Sequence, residues 1–151
     1  MNIGFIVNNI AVSEINYELI SCVNQLADKD TKTSPYIFFQ NISPTFTAVN
    51  CMTMNIVGIN GFQGKLVAFD LESANIINKN NQNSENYFYL TDLEWLTKVV
   101  NYTVVLDILN NFKIYVRSEY HRAIVKNFTG REDIEVMESV GDLVECLISN
   151  S

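Results

Sequence analysis

An apolar, aromatic segment that stops at two polar residues constrains the fold of this chain more than any other feature. Residues 87–90 are Tyr-Phe-Tyr-Leu, and Thr91 and Asp92 follow at once, ahead of the sole tryptophan, Trp95. A continuous apolar run is typical of a parallel strand that is covered on both faces of its sheet. The segment therefore predicts a buried strand that ends at Thr91 and is followed by a helix.

The same alternation of strand and helix repeats along the chain. Apolar runs predict strands near residues 3–7, 36–39, 65–69, 87–90, 113–117 and 134–137. Helical spacing and capping residues predict helices over 13–28, 70–77, 93–109, 118–128 and 141–149. Two stretches differ: residues 52–59 suit either a short strand or a short helix, and residues 78–86 are predicted to form a polar loop.

This order of elements indicates the fold class. Repeated strand–helix alternation implies a mostly parallel sheet, with helices on both faces and right-handed crossovers. The 151 residues suit one domain with a real hydrophobic core. We therefore predict an α/β fold, with a single Rossmann-like domain over residues 1–151.

Charge and cysteine content exclude several classes of partner. Ten Lys plus Arg stand against 17 Asp plus Glu, so the net charge is −7, and no basic cluster is present. We therefore predict neither nucleic acid nor an anionic membrane as a partner. The chain starts without a basic region and has no apolar run of about 18 residues, so no signal peptide or membrane span is predicted. Three scattered cysteines, Cys22, Cys51 and Cys146, indicate buried reduced thiols and a cytoplasmic location.

Cofactor motifs are missing from the sequence. The first strand is followed by Asn8 and Asn9 instead of a glycine-rich turn, and no Walker A motif occurs. NAD, FAD and ATP binding in their usual modes are therefore not expected. His121, the only histidine, lies in the first turn of a predicted surface helix, and we interpret it as a solvated residue. We predict no cofactor and no metal.

The carboxyl ends of the predicted strands are where a ligand would bind in an open α/β sheet. Eight polar residues are expected there: Asn8, Asn9, Asp70, Thr91, Asp92, Glu94, Arg117 and Ser118. The acids suit a general base and its orienting partner, sugar hydroxyls, or a divalent ion. As an alternative, Asp70 and Asp92 are N-caps of the helices that follow them.

Arg117 and Trp95 have two interpretations each. Arg117 suits a phosphate or carboxylate ligand, beside a helix N-terminus headed by Ser118. Alternatively, Arg117 pairs with Glu94 or Glu119. We interpret Trp95 as a packing anchor in preference to a platform for stacking a sugar ring.

Four segments together resemble a known family. They are Phe-Gln-Gly-Lys-Leu-Val-Ala at 62–68, Ser73 with Ala74, the run at 87–95, and Val-Arg-Ser-Glu-Tyr-His at 116–121. This series resembles the amino-terminal half of GT-B-type glycosyltransferase-like proteins, including short forms from marine cyanophages. The resemblance covers roughly residues 60–138. None of its motifs is a catalytic signature, so no catalytic residue is assigned.

The resemblance implies a glycosyltransferase-related domain that binds a sugar, a nucleotide-sugar or an acceptor, or that forms half of a split enzyme. A phage-encoded form would act in the host cytoplasm. A GT-B enzyme has a second Rossmann-like domain, for which 151 residues leave no room. We therefore expect a second protein to supply that domain, and no robust sugar transfer by this chain alone.

Two alternatives remain open. One is a non-enzymatic interaction module that assembles through an exposed sheet edge or helix. Whether the chain is a glycosyltransferase-related domain or an interaction module, we expect it to self-associate as a two-fold homodimer. The other alternative is a flavodoxin- or receiver-like domain, which is less favoured because Asn8 and Asn9 stand where a receiver has acids.

Overall fold

The fold is a parallel sheet, as the sequence predicts. In a computed structural model of the chain, residues 1–10, 13–29, 32–43, 48–81 and 83–150 are described. Every pair of neighbouring strands in their seven-stranded sheet is parallel. The strands are β1 (Asn2–Ile10), β2 (Ser34–Ile42), β3 (Met52–Asn55), β4 (Lys65–Ala68), β5 (Glu85–Leu90), β6 (Lys113–Val116) and β7 (Glu135–Val136).

Helices cover both faces of this sheet. They are α1 (Glu14–Lys29), α2 (Leu71–Asn80), α3 (Glu94–Thr97), α4 (Tyr102–Asn111), α5 (Glu119–Thr129) and α6 (Val140–Ser149), with a 3₁₀ helix at Ile56–Gly61. One hydrophobic core packs α1 and α6 against one face, and a second core packs α2, α4 and α5 against the other. The predicted α/β fold, with helices on both faces, is therefore confirmed.

Alternation of side chains along the strands explains the two cores. In β5, Tyr87 and Tyr89 belong to one core while Phe88 and Leu90 belong to the other. Successive side chains of a strand point to opposite faces, so a strand between two helical layers must be apolar throughout. The aromatic run at 87–90 meets this requirement.

Polar caps define most of the helix ends. The carboxylate of Asp70 accepts a hydrogen bond from the Ser73 N–H at 2.7 Å at the start of α2. Ser118 caps α5 in the same way, and Gly130 ends α5 with a left-handed φ of 73°. The predicted caps Asp70 and Ser118 are therefore confirmed. A capping box that was not predicted begins α6, where Ser139 pairs with Asp142.

The predicted helix over residues 93–109 is wrong, because it is two helices. α3 ends at Thr97, and the Asn101 side chain accepts a hydrogen bond from the Thr103 N–H at 3.0 Å to begin α4. Val99 between them is fully exposed. A β-branched residue loses χ1 freedom in a helix, and no burial compensates here. The helix therefore breaks at residues 98–101.

Three other segments, and the burial of the cysteines, differ from the prediction. β1 continues through Ile10, so Asn8 and Asn9 lie within the strand, because β2 also extends and pairs with it as far as Ile42. Residues 52–61 combine both alternatives, since β3 is followed directly by the 3₁₀ helix. Residues 78–80 extend α2, where the Asn80 amide donates to the Ile76 carbonyl at 2.8 Å. The three cysteines are free but half-buried instead of buried.

The order of strands in the sheet marks one position as special. The sheet reads β3-β2-β1-β4-β5-β6-β7, so the chain builds outward from β1 to one side and then crosses to β4 on the other. A crevice forms at the carboxyl ends of the strands where this reversal occurs, and ligands of open α/β sheets bind there. In this chain the reversal lies between β1 and β4.

Candidate functional site

A cleft of about 300 Å³ lies at the carboxyl ends of β1, β4 and β5, at the reversal of strand order. Six of the eight residues predicted from the sequence line it: Asn8, Asn9, Asp70, Thr91, Asp92 and Glu94. Ser13, Asn16 and Lys98 complete its polar lining, and Val7, Ile15 and Phe69 supply the apolar part. The parallel strands thus bring together residues that are far apart in sequence.

Asp70 is a half-buried acid of this cleft. Its Oδ1 accepts from the Ser73 N–H at 2.7 Å, and its Oδ2 accepts from the Ser73 hydroxyl at 3.0 Å. Burial raises the pKa of Asp70, and repulsion from Glu94 and Glu72 adds to this effect, while the two bonds from Ser73 oppose it. Asp70 therefore caps α2 and also presents a carboxyl group to the cleft.

Glu94 connects the segment after β5 to the helix after β4. Its Oε1 accepts a hydrogen bond from the Leu71 N–H at 3.0 Å, and its Oε2 accepts one from the Lys98 ammonium at 2.8 Å. This bond raises the pKa of Lys98. Lys98 is the sole cationic side chain among the described residues that line the cleft, and Glu94 already pairs with it.

The two asparagines of β1 form the opposite wall. The Asn8 side-chain amide donates to Glu72 Oε2 at 2.6 Å. The Asn9 amide donates to the Ser43 hydroxyl at 3.2 Å, and the Asn9 main-chain carbonyl accepts from the Asn16 amide at 3.0 Å. These bonds hold the amide groups in fixed directions at the mouth of the cleft.

Asp92 is the exposed acid of the group. Its Oδ1 accepts from the adjacent Leu93 N–H at 2.7 Å. The predicted N-cap role of Asp92 is wrong, because Leu93 holds the cap position of α3 and makes no side-chain cap bond. The neighbouring Thr91 hydroxyl donates to the Phe69 carbonyl at 3.5 Å, which links β5 to the end of β4.

Arg117 and Ser118 do not line the cleft among the described residues. Ser118 is occupied as the cap of α5. Arg117 Nη2 lies 3.9 Å from Glu18 Oε2 on α1, so the predicted pairing with Glu94 or Glu119 is wrong. Glu94 binds Lys98, and Glu119 binds Arg122 at 3.1 Å. Both acids thus have a nearer cation.

Two other predicted residues lie away from the cleft. Trp95 is 1% exposed and stacks on Phe128 with ring centroids 5.8 Å apart, so its role as a packing anchor is confirmed. His121 is half-buried, and its Nδ1 has no hydrogen-bond partner among the described residues. His121 is therefore partly buried instead of fully solvated, although Glu119 and Tyr120 in the same turn of α5 are exposed.

Three polar lining residues, Ser13, Asn16 and Lys98, were not predicted from the sequence. Ser13 and Asn16 belong to the first turn of α1, where the Ser13 hydroxyl accepts from the Asn16 N–H at 3.2 Å. A helix that directly follows a strand begins at that strand's carboxyl end, and this rule would have found both. No comparable rule would have found Lys98. The sequence predicted one long helix over residues 93–109, whereas Lys98 lies at the break after α3.

The described part of the chain contains no group of three or more His, Cys, Asp and Glu side chains that is suited to a metal ion. Among those same residues, no helix combines the length and the apolar character needed to cross a bilayer.

The chemistry of the lining favours one type of ligand. Three carboxylates and three asparagines offer many hydrogen-bond acceptors, and a single lysine opposes them. A phosphate group would be repelled by Asp70, Asp92 and Glu94, whereas hydroxyl groups can donate to them. Comparisons with models of known protein families and with curated proteins give no match.

Proposed function

We propose that this chain is a glycosyltransferase-related domain that binds a neutral polyhydroxylated ligand, a sugar or a sugar acceptor, in the cleft between β1 and β4. One observation carries the proposal: an acceptor-rich cleft stands at the reversal of strand order, and its one described lysine is already paired. The resemblance of residues 60–138 to GT-B amino-terminal halves supports the same ligand class.

Hydrogen-bond geometry supports a sugar over a nucleotide. Neighbouring sugar hydroxyls can donate to the carboxylates of Asp92 and Asp70 and accept from asparagine amides, because these groups supply both kinds of partner. A nucleotide-sugar would instead place a diphosphate near three acids. The one arginine predicted to bind an anion, Arg117, lies beside Glu18. In a split enzyme, this chain would therefore hold the acceptor, and the partner would hold the nucleotide.

Titration with small glycosides tests the proposal. We expect at least one of methyl glucoside, galactoside and mannoside to bind saturably in the millimolar range, and inorganic phosphate not to bind. Asp92→Asn should weaken binding of that glycoside by about tenfold, since one charge-assisted hydrogen bond is lost. The control Glu145→Gln removes the same charge from the exposed side of α6 and should leave the affinity unchanged.

Two results would contradict the proposal. One is the absence of saturable binding by any of the three glycosides. The other is equal sensitivity of binding to Asp92→Asn and Glu145→Gln, which would show a general effect of charge instead of a contact in the cleft.

A second candidate function is protein assembly through the edge of the sheet at β3. All four residues of β3 are exposed, and Met52 and Met54 are the apolar ones. Nearby Ile42 and Val57 are 64% and 70% exposed. An exposed edge strand without charged residues is a template for pairing with another strand. A second copy of the chain would pair there about a two-fold axis.

Sedimentation at micromolar concentration tests this candidate. We expect a dimer for the wild-type chain and a monomer for Met54→Lys, because a charge on an edge strand opposes strand pairing. The control Glu145→Lys places a lysine at an exposed position of α6, outside β3, and should remain dimeric. A monomeric wild-type chain would contradict assembly through β3.

A further inference from the structure

A second depression lies directly beside the cleft. This groove of about 410 Å³ runs between α2 and α4, and its apolar lining includes Leu71, Val100, Val104 and Ile108. Ile108 is fully buried at its base, while Val100 and Val104 are only half-buried along its sides. The groove therefore presents accessible apolar surface next to a polar site.

The two depressions are adjacent and share part of their lining. Glu94 and Lys98 belong to the lining of both. Asp70 lines the cleft and the next residue, Leu71, lines the groove, and adjacent Cα atoms are only about 3.8 Å apart. A small molecule that fills both depressions therefore passes over the Glu94–Lys98 ion pair.

We propose that the ligand is a glycoside with an uncharged apolar aglycone, in a binding mode that rests on the sugar-binding function proposed above. The sugar occupies the cleft, and the aglycone occupies the groove between α2 and α4. Binding sites for small molecules combine an apolar wall with a few polar groups that set orientation, and the groove and the cleft supply these two parts.

Charge around the groove limits the aglycone further. Glu72 and Glu94 stand at its polar margin, and Glu94 is paired with Lys98. A carboxylate or phosphate on the aglycone would meet these acids in a partly dehydrated site. The ligand is therefore an aryl or alkyl glycoside without an acidic group.

The length of the groove favours a small molecule over a partner helix. α2 and α4 have 10 residues each, which span about 15 Å. The polar cleft adjoins the groove, and an amphipathic helix would cover it without using its acceptors. A glycoside whose aglycone is one ring or a short alkyl chain fills both the cleft and the groove.

Affinities for methyl, phenyl and octyl glycosides of the same sugar test the inference. We expect the phenyl or the octyl compound to bind the wild-type chain roughly tenfold more tightly than the methyl compound, the effect of burying a small apolar group. Val104→Thr keeps the side-chain shape but adds a hydroxyl, and should remove most of this gain without changing the affinity for methyl glycoside.

The matched control is Val99→Thr, which makes the same change at a fully exposed position near the groove. It should leave all three affinities unchanged. Equal affinities for the three glycosides would overturn the inference and leave the proposed function intact. Failure of every methyl glycoside to bind would contradict the proposed function itself. Binding of phenyl or octyl glycoside that Asp92→Asn does not weaken would show an apolar pocket alone and would also overturn the inference.

Discussion

Glu94 Oε1 accepts a hydrogen bond at 3.0 Å from the main-chain N–H of Leu71, which is the first residue of α2. The first four N–H groups of a helix have no partner within it. Asp70 satisfies the N–H of Ser73, and Glu94 satisfies that of Leu71. Two acids that line the cleft therefore also stabilise the start of a helix, so stability and ligand binding depend on the same side chains.

Replacing Glu94 tests this second cap. Glu94→Ala removes the acceptor of the Leu71 N–H, and we expect the free energy of unfolding to fall by about 1 kcal/mol. Glu94→Gln keeps an acceptor oxygen for the Leu71 N–H and loses the ion pair with Lys98, which is worth little because the Lys98 side chain is 63% exposed. Urea unfolding of both variants is the measurement. Equal losses of unfolding free energy in Glu94→Ala and Glu94→Gln would show that the hydrogen bond to Leu71 contributes nothing to stability.

Replacing Asp70 separates its capping role from its charge. Asparagine is as good an N-cap as aspartate, so Asp70→Asn keeps the bond to the Ser73 N–H. Because burial raises the pKa of Asp70, the ionised carboxyl costs stability at neutral pH. We expect Asp70→Asn to be at least as stable as the wild type at pH 7, and Asp70→Ala to lose about 1 kcal/mol.

The pH dependence of this comparison follows from the same shift. As the pH falls through the raised pKa of the folded state, Asp70 takes up a proton and the wild-type chain recovers the lost stability. The difference in the free energy of unfolding between the wild type and Asp70→Asn should shrink on acidification and disappear below the ordinary carboxyl pKa of about 3.9. Urea unfolding curves recorded between pH 7 and about pH 3 measure this difference. A difference that grows as the pH falls would contradict burial as the cause.

The fold could be predicted because each strand has a local sequence pattern that identifies it. An apolar run such as 87–90, followed by polar caps, is fully visible in the sequence. The ion pair between Arg117 and Glu18 could not be predicted from the sequence, because only the packing of α1 on the sheet brings Glu18 close to Arg117. Positions at the carboxyl edge follow from parallel strands alone, which is why the cleft residues were predicted. The break at residues 98–101 depends on a lack of burial, which periodicity does not reveal.

Lys65 is a buried lysine of β4 whose side chain binds the end of α6. It is 4% exposed, and its ammonium donates to the carbonyls of Leu147 at 2.6 Å and Asn150 at 3.2 Å at the end of α6. A cation is favoured at a helix C-terminus. We expect Lys65→Met to lower the free energy of unfolding by about 1–3 kcal/mol, because those carbonyls lose a donor.

The control for that variant is Lys79→Met, the same change at an exposed residue of α2. It should alter stability by less than about 0.5 kcal/mol. Equal effects of the two substitutions in denaturant titrations would mean that Lys65 contributes only as a generic charge.

Asn81 is the buried residue of the polar segment at 78–86, and its side chain binds main-chain groups on both sides of it. It is 2% exposed, its amide donates to the Phe62 carbonyl at 3.0 Å, and its Oδ1 accepts from the Asn83 N–H at 2.8 Å. Asn81→Ala should cost about 1–3 kcal/mol, because buried main-chain groups lose their partners. Asn80→Ala, at the exposed neighbouring position, should change stability little. Thermal unfolding compares them, and a reversed order would contradict the assignment.

Mapping where a methyl glycoside binds tests the central claim most directly. Amide chemical shifts of the ¹⁵N-labelled chain are followed during titration with the sugar that binds best. We predict saturable shifts at Asn8, Asp70, Thr91, Asp92 and Glu94, with the amides of α5 and of β7 unchanged. Shifts that cluster away from the carboxyl ends of β1, β4 and β5, or no saturable shifts at all, would contradict a sugar site in this cleft.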